Sequence, residues 1–160
     1  MPLQRLDALA ILYILISANR FDTMETQQRT PVEIVQELIA VHTTRKEASQ
    51  KIEQNEAGNA LHEQAGNAAK QSEGFIAELM SELSQFGDAV GAEASRDNPY
   101  QETYKQAIPQ IEEGNASYLQ QTFQQLEQSL HATYRQIAET QTGLPESVKE
   151  MVRKQQQALT

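Results

Sequence analysis

Cysteine and tryptophan are both absent from this chain of 160 residues, and proline and glycine are scarce, with 5 and 7 copies. Without cysteine the protein has no disulfides, zinc–thiolate sites, iron–sulfur clusters or thiol nucleophiles. Few helix breakers, together with many alanine, leucine, glutamate and glutamine residues, favour helix throughout the chain. Because no strand-like run of useful length is present either, the sequence predicts an all-α fold.

Positive charge is also in short supply. Lysine and arginine number 13 against 22 aspartate and glutamate residues, which gives a net charge of -9 and an isoelectric point of about 4.8. That balance is unsuited to the phosphates of nucleic acids and to anionic lipid heads, so both are excluded as partners. The hydrophobic share of 39% is too high for a disordered chain, and the length suits one globular domain.

One hydrophobic run breaks this polar background, the segment Leu6–Ser17. It is shorter than the ~20 apolar residues that cross a bilayer. Three further interpretations stay open: a signal peptide that spans residues 1–18, an extra helix packed on the domain, and a leader ahead of Met24. The abundance of leucine, alanine and isoleucine predicts a helix in each case.

We therefore divide the chain into an N-terminal apolar segment, residues 1–23, and a helical domain, residues 24–160. A cytoplasmic protein is the first expectation for this arrangement. A signal peptide over residues 1–18 would instead make the protein periplasmic or secreted, and a retained segment would act as a membrane anchor.

Two long amphipathic helices are predicted in the first half of the domain. Thr30 and Glu33 form a capping box around Pro31, which suits the first helical position. Apolar side chains then recur at spacings of three and four, with Arg45 in one slot, and this pattern predicts a helix over residues 32–54. A second stripe contains Leu61, Ala65, Ala68, Ser72, Phe75, Leu79, Leu83 and Phe86, and Gly87 ends it.

Three more helices follow a loop that begins at Gly87. Asn98 and Pro99 start a helix that Pro109 is expected to shorten, kink or break. Ser117 is the expected cap of the next helix, whose stripe contains Leu119, Phe123, Leu126, Leu130, Thr133 and Ile137. The last helix begins at Pro145 and Glu146, and its face consists of Val148, Met151, Val152, Gln155 and Leu159. Four long amphipathic helices, with a short helix in the crossover, predict a four-helix bundle.

Bundles of this kind can hold a pair of metal ions through Glu-x-x-His motifs on facing helices. The residues three places before His42, His62 and His131 are Ile39, Asn59 and Gln128, so this motif is absent. No nucleophile elbow, phosphate loop or dinucleotide fingerprint is present either. The sequence therefore offers no catalytic or cofactor-binding residue, and the candidate metal ligands are Glu73, Glu78, Glu127 and His131.

Other polar side chains on the helices receive structural interpretations. Glu127 and His131 lie one turn apart and are predicted to form a contact on the helix surface. His42 lies beside the first apolar stripe and is interpreted as a boundary residue. Four tyrosines at helical spacing are interpreted as core edges with solvated hydroxyls: Tyr100, Tyr104, Tyr118 and Tyr134.

Four parts of the chain share a pattern with a known family. They are VQELI at 35–39, KQSEGFIAELMSELSQFG at 70–87, the spacing from Glu127 to Tyr134, and GLPESVKEMVRKQ at 143–155. In the second of these, Phe75, Glu78 and Leu79 form a Phe-x-x-Glu-Leu pattern. Over about residues 31–155 the chain resembles a bacterial family of uncharacterised ferritin-like four-helix bundles. The resemblance implies a ferritin-like fold with up-down-down-up topology.

The same resemblance does not carry a metal site over to this chain. The family has an Asp-Gly pair in the middle of its first helix, where this sequence has Thr43, Thr44 and Arg45. The family also has a histidine about two turns beyond the helix-four glutamine, which this sequence does not reach. Tyr100 and Tyr104 replace the tryptophan-containing crossover.

Composition, motifs and resemblance together predict a non-enzymatic bundle that acts as a structural or interaction protein. We expect a homo-oligomer formed through helix faces and no cofactor, and the resemblance suggests a stress-related context. The alternative is a metal-binding or ferroxidase-like bundle, in which Glu73, Glu78 and Glu127 would hold iron or manganese.

Overall fold

The computed structural model describes residues 28–55, 60–87 and 97–159. In these ranges the chain forms five α-helices and no strand, which confirms the all-α class. The helices are α1 (Pro31–Asn55), α2 (Ala60–Ser84), α3 (Pro99–Glu113), α4 (Ala116–Thr140) and α5 (Glu146–Ala158).

Some sequence predictions lie outside the described residues. They are the helix proposed for Leu6–Ser17, the boundary after residue 23 and most of the loop that follows Gly87. Among the described helices, none combines the length and the hydrophobicity needed to cross a membrane.

The capping box at the start of α1 is confirmed. The Thr30 amide donates to Glu33 Oε2 at 2.8 Å, and the Glu33 amide donates to Thr30 Oγ1 at 3.2 Å. Asn98 caps α3 as expected, since its side chain accepts from the Gln101 amide at 2.9 Å. Both caps satisfy amides that have no partner inside the helix.

Two predicted details of α3 and α4 differ from the structure. Ser117 does not cap α4; the cap is Asn115, whose Oδ1 accepts from the Ser117 amide at 3.0 Å. The reason is that Gly114 takes a left-handed conformation, φ 69°, which ends α3 and lets α4 begin at once. Of the three outcomes expected for Pro109, the break is wrong, because α3 continues through Pro109 to Glu113, while the expected short helix agrees with its 15 residues.

Contacts between helix ends give the helix directions. Gln28 Nε2, ahead of α1, donates to the Thr140 carbonyl at 2.6 Å, so α4 ends where α1 begins. The α1–α2 pair packs most extensively of all pairs. It is an antiparallel hairpin, because Lys46 contacts Glu73 whereas Glu53, further along α1, contacts His62, nearer the start of α2. α5 runs antiparallel to α2, because Ser147 bonds Glu82 and the Ala158 carbonyl accepts from Gln71.

The hydrophobic core draws on all five helices. Its fully buried large aliphatic side chains include Ile34, Leu38 and Ile52 of α1, Leu79 of α2, and Leu119, Leu130 and Ile137 of α4. The three helices of 25 residues each span about 37 Å at 1.5 Å per residue. The 15-residue α3 and the 13-residue α5 are shorter, so each lies along only part of that length.

Candidate functional site

A line of polar side chains crosses the hydrophobic core. Its members come from α1, α2, α4 and α5, and we call it the polar chain: Arg45, Ser72, His42, Tyr134, Gln155 and Glu78. All but Glu78 are buried, with 0 to 3% of each residue's surface exposed. Buried polar groups cost free energy unless they are hydrogen-bonded, so the bonds of each member need to be followed.

The Arg45 guanidinium occupies one end of the polar chain. Its Nε and Nη2 donate to the two oxygens of Glu127 at 2.8 and 2.7 Å, a bidentate ion pair between α1 and α4. Its Nη1 donates to Ser72 Oγ at 3.0 Å, to Gln71 Oε1 at 3.0 Å and to the Ala68 carbonyl at 3.3 Å. One buried cation therefore holds three helices together.

The other end of the polar chain fixes the position of its protons. Gln155 Nε2 donates to Glu78 at 3.1 Å, so its Oε1 accepts from the Tyr134 hydroxyl at 2.8 Å. With that proton used, His42 Nε2 must donate to the Tyr134 oxygen, at 2.7 Å. His42 Nδ1 is then unprotonated and accepts from Ser72 Oγ at 3.2 Å.

Every donor in the polar chain consequently points the same way, from the Arg45 cation to the Glu78 carboxylate. Hydrogen bonds arranged in series polarise one another, and charges of opposite sign at the two ends favour this single direction. The arrangement assigns the neutral Nε2–H tautomer to His42.

Burial keeps His42 neutral. Loss of hydration, followed by the nearby Arg45 charge, lowers the pKa of His42 from 6.5 to about 3. Burial also raises the pKa of the Tyr134 hydroxyl well above 10. The His42 ring meets the Phe75 ring edge-on, with 5.1 Å between centroids, so an aromatic contact fixes its orientation as well.

A second buried polar group lies nearer the start of α1. Glu37, 2% exposed, pairs with Arg29 and accepts from Asn98 Nδ2 at 3.1 Å. These contacts join the segment before α1, α1 itself and the start of α3.

Tyr100 lies just after this group, and its backbone amide donates to Thr133 Oγ1 at 3.0 Å. Among the described buried side chains, the Tyr100 hydroxyl is the polar atom without a hydrogen-bond partner. Burial, with a further contribution from Glu127, raises the pKa of this hydroxyl well above 10.

The four candidate metal ligands do not converge. Glu73 is exposed and lies 3.2 Å from Lys46, whereas Glu78 accepts from Gln155. Glu127 is paired with Arg45 rather than making the predicted contact with His131, although both line one cleft. In the part of the chain that the structure describes, no three acidic or histidine side chains lie close enough to hold a metal ion.

The structure also corrects two interpretations made from the sequence. His42 is not a boundary residue but is fully buried, because Ser72 and Tyr134 satisfy both of its ring nitrogens. Tyr100 and Tyr134 are fully buried and have no solvated hydroxyl, whereas Tyr118 is exposed. The available signal was the presence of polar residues within apolar stripes, since Arg45, Ser72 and Gln155 all occupy stripe positions.

Comparison with protein-family models, with curated proteins and with solved structures finds no match to this chain. Five of the residues that carry the sequence resemblance nevertheless meet at the polar chain. Glu78, Tyr134 and Gln155 belong to it, Glu127 holds its Arg45 end, and Phe75 packs against His42.

Proposed function

We propose that this chain is a ferritin-like four-helix bundle in which α1, α2, α4 and α5 are arranged up-down-down-up, with α3 in the crossover. Three antiparallel pairs support the arrangement: α1 with α2, α1 with α4, and α2 with α5. Together they make α2 and α4 parallel, as a long crossover between them requires.

We further propose that the bundle acts as a structural or interaction protein and not as an enzyme. The observation that carries this proposal is the buried Arg45 guanidinium and its bidentate pair with Glu127. In metal-containing bundles, carboxylates and imidazoles from facing helices converge on cations in the core. Here the cation in the core is part of the chain itself, and it engages the carboxylate that would otherwise be offered to an ion.

The buried histidine of the polar chain is also engaged. Both ring nitrogens of His42 have partners inside the bundle, so neither is available as a metal ligand. The alternative, iron or manganese held by Glu73, Glu78 and Glu127, would require these three side chains to leave their present partners and come together.

An interaction role suits the outer surface of α4. Five glutamines, Gln120, Gln121, Gln124, Gln125 and Gln128, are exposed there and carry no charge. A polar but uncharged helix face can approach a second copy without like-charge repulsion, despite the net charge of -9. We therefore propose self-association through helix faces, which light scattering coupled to size-exclusion chromatography measures directly.

Metal analysis of protein purified without chelator tests the non-metal assignment. We expect iron and manganese far below one ion per chain, both in the wild type and in Glu127→Ala. Near-stoichiometric iron or manganese in the wild type that is lost in Glu127→Ala, but kept in Glu139→Ala on the exposed surface of α4, would contradict the proposal.

A further inference from the structure

We propose that the cleft between α2 and α4 binds a small aliphatic amine in its ammonium form. This α2–α4 cleft has a volume of about 480 Å³, within the roughly 300–1,000 Å³ typical of small-molecule sites. Polar side chains that line it are Arg45, Gln64, Asn67, Gln71, Glu127 and His131, and apolar ones include Phe123 and Leu159. Of these, Arg45 and Gln71 are bonded to each other.

Unequal exposure of an ion pair makes the cleft attractive to cations. The Glu127 side chain is 27% exposed, whereas that of Arg45, behind it, is 3% exposed. A ligand therefore meets the carboxylate first. A carboxylate offers about four acceptor positions, of which Arg45 takes two, so capacity for a second cationic donor remains.

The hydrogen-bonding groups of the cleft match those of a primary ammonium. Gln64 and Asn67 lie about one turn apart on α2, and both are exposed. Their amide oxygens, together with Glu127, provide three acceptors for the three N–H donors of an ammonium group.

The remaining walls of the cleft suit a hydrocarbon chain. Phe123 and Leu159 are apolar and largely buried, so methylene groups that contact them would leave water. The net charge of -9 also raises the local concentration of small cations around the protein. An anion would meet Glu127 before it reached Arg45 and would be repelled.

Two probes of equal length, 1,4-diaminobutane and 1,4-butanediol, test the ligand class. Each is added to the ¹⁵N-labelled full chain, and binding is followed by the NMR chemical shifts of the backbone amides. We expect saturable shifts of cleft residues with the diamine and none with the diol. The variant Gln64→Ala/Asn67→Ala removes two acceptors, leaves the Arg45–Glu127 pair in place, and should weaken binding about tenfold.

A matched variant away from the cleft, Gln106→Ala/Gln136→Ala, removes two exposed amides outside the proposed self-association face and should bind the diamine as the wild type does. Equal binding of the diamine by the cleft variant and by this control would show that the acidic surface attracts the diamine without the cleft and would overturn the proposal. Equal binding of diol and diamine, or no saturable shift with either, would overturn it as well. These results are independent of metal content and of oligomeric state.

Discussion

Individual side chains at the centre of this bundle are stabilised by partners on other helices. His42 contacts Ser72 and Tyr134, which lie 30 and 92 positions away along the chain. A buried polar group without a hydrogen-bond partner lowers the free energy of unfolding by about 1–3 kcal/mol. Removal of one member of the polar chain leaves its neighbours without a partner and therefore causes a loss of this size. The effect of a substitution therefore depends on its place in the polar chain more than on its burial.

Two buried tyrosines allow a matched test of this dependence. Tyr134→Phe removes a hydroxyl that both His42 and Gln155 contact, and should lower the free energy of unfolding by about 1–3 kcal/mol. Tyr100→Phe removes a hydroxyl without a partner and should be neutral or stabilising. Urea unfolding at pH 7 measures both, and equal losses in the two variants would show that the polar chain contributes nothing specific.

Acid should destabilise the protein through His42. Its pKa is about 3 in the folded state against 6.5 when unfolded, so between these values the unfolded chain binds more protons. The free energy of unfolding consequently falls as pH decreases through this window, by up to ~1.4 kcal/mol per pH unit, and the whole contribution is lost below pH 3.

Urea unfolding at pH 7 and pH 4.5 isolates this contribution. His42→Gln cannot titrate, and its loss between the two pH values should be smaller than that of the wild type by roughly 2–3 kcal/mol. Gln136→Ala, on the exposed side of α4, removes no titratable group. It serves as the control and should lose as much stability between the two pH values as the wild type. If His42→Gln kept the full wild-type loss, the neutral buried histidine would not be its source.

Among the helices, local sequence determines where most of them begin and end. The Thr30–Glu33 capping box and the Asn98–Pro99 start could be predicted because their contacts lie within four residues. The α4 cap was misassigned because Asn115 and Ser117 are both good caps, and the choice depends on the left-handed Gly114.

Two glycines provide a test at this scale, because they differ in backbone conformation. Gly74 lies exposed inside α2 with nothing within 4 Å of an added Cβ, so Gly74→Ala should raise the free energy of unfolding by about 1 kcal/mol. Gly114 has a φ of 69°, so Gly114→Ala should lower that free energy by about 1–2 kcal/mol. Thermal and urea unfolding measure both, and changes of the same sign would contradict the assigned conformations.

Across the whole molecule, the all-α class and the helix order followed from the sequence, but the polar chain did not. Arg45, Ser72 and Gln155 were recognised as members of apolar stripes, yet periodicity on one helix does not reveal which residue faces it from another. Arg45 and Glu127 are 82 positions apart, and only the packed bundle brings them within 2.8 Å. The Glu127–His131 interpretation failed for the same reason, because a local spacing cannot anticipate a stronger distant partner.

The hydrogen bonds of the polar chain therefore connect the α1–α2 hairpin to α4 and α5. The Arg45–Glu127 pair is the ion pair that connects α1 to α4. Removal of one partner from a buried pair typically costs about 3–5 kcal/mol, whereas replacement of both by apolar side chains costs much less. The partial exposure of Glu127 places the expected cost of Arg45→Met near the lower limit of that range.

A double-mutant cycle with Arg45→Met, Glu127→Met and the double variant, followed by urea unfolding at pH 7, tests this account most directly. We predict that each single variant loses stability and that the double variant loses less than the sum of the two losses, by at least ~1 kcal/mol. Losses that add within ~0.5 kcal/mol would show that the two side chains are not coupled and would contradict the assignment of Arg45 as the internal cation of the bundle.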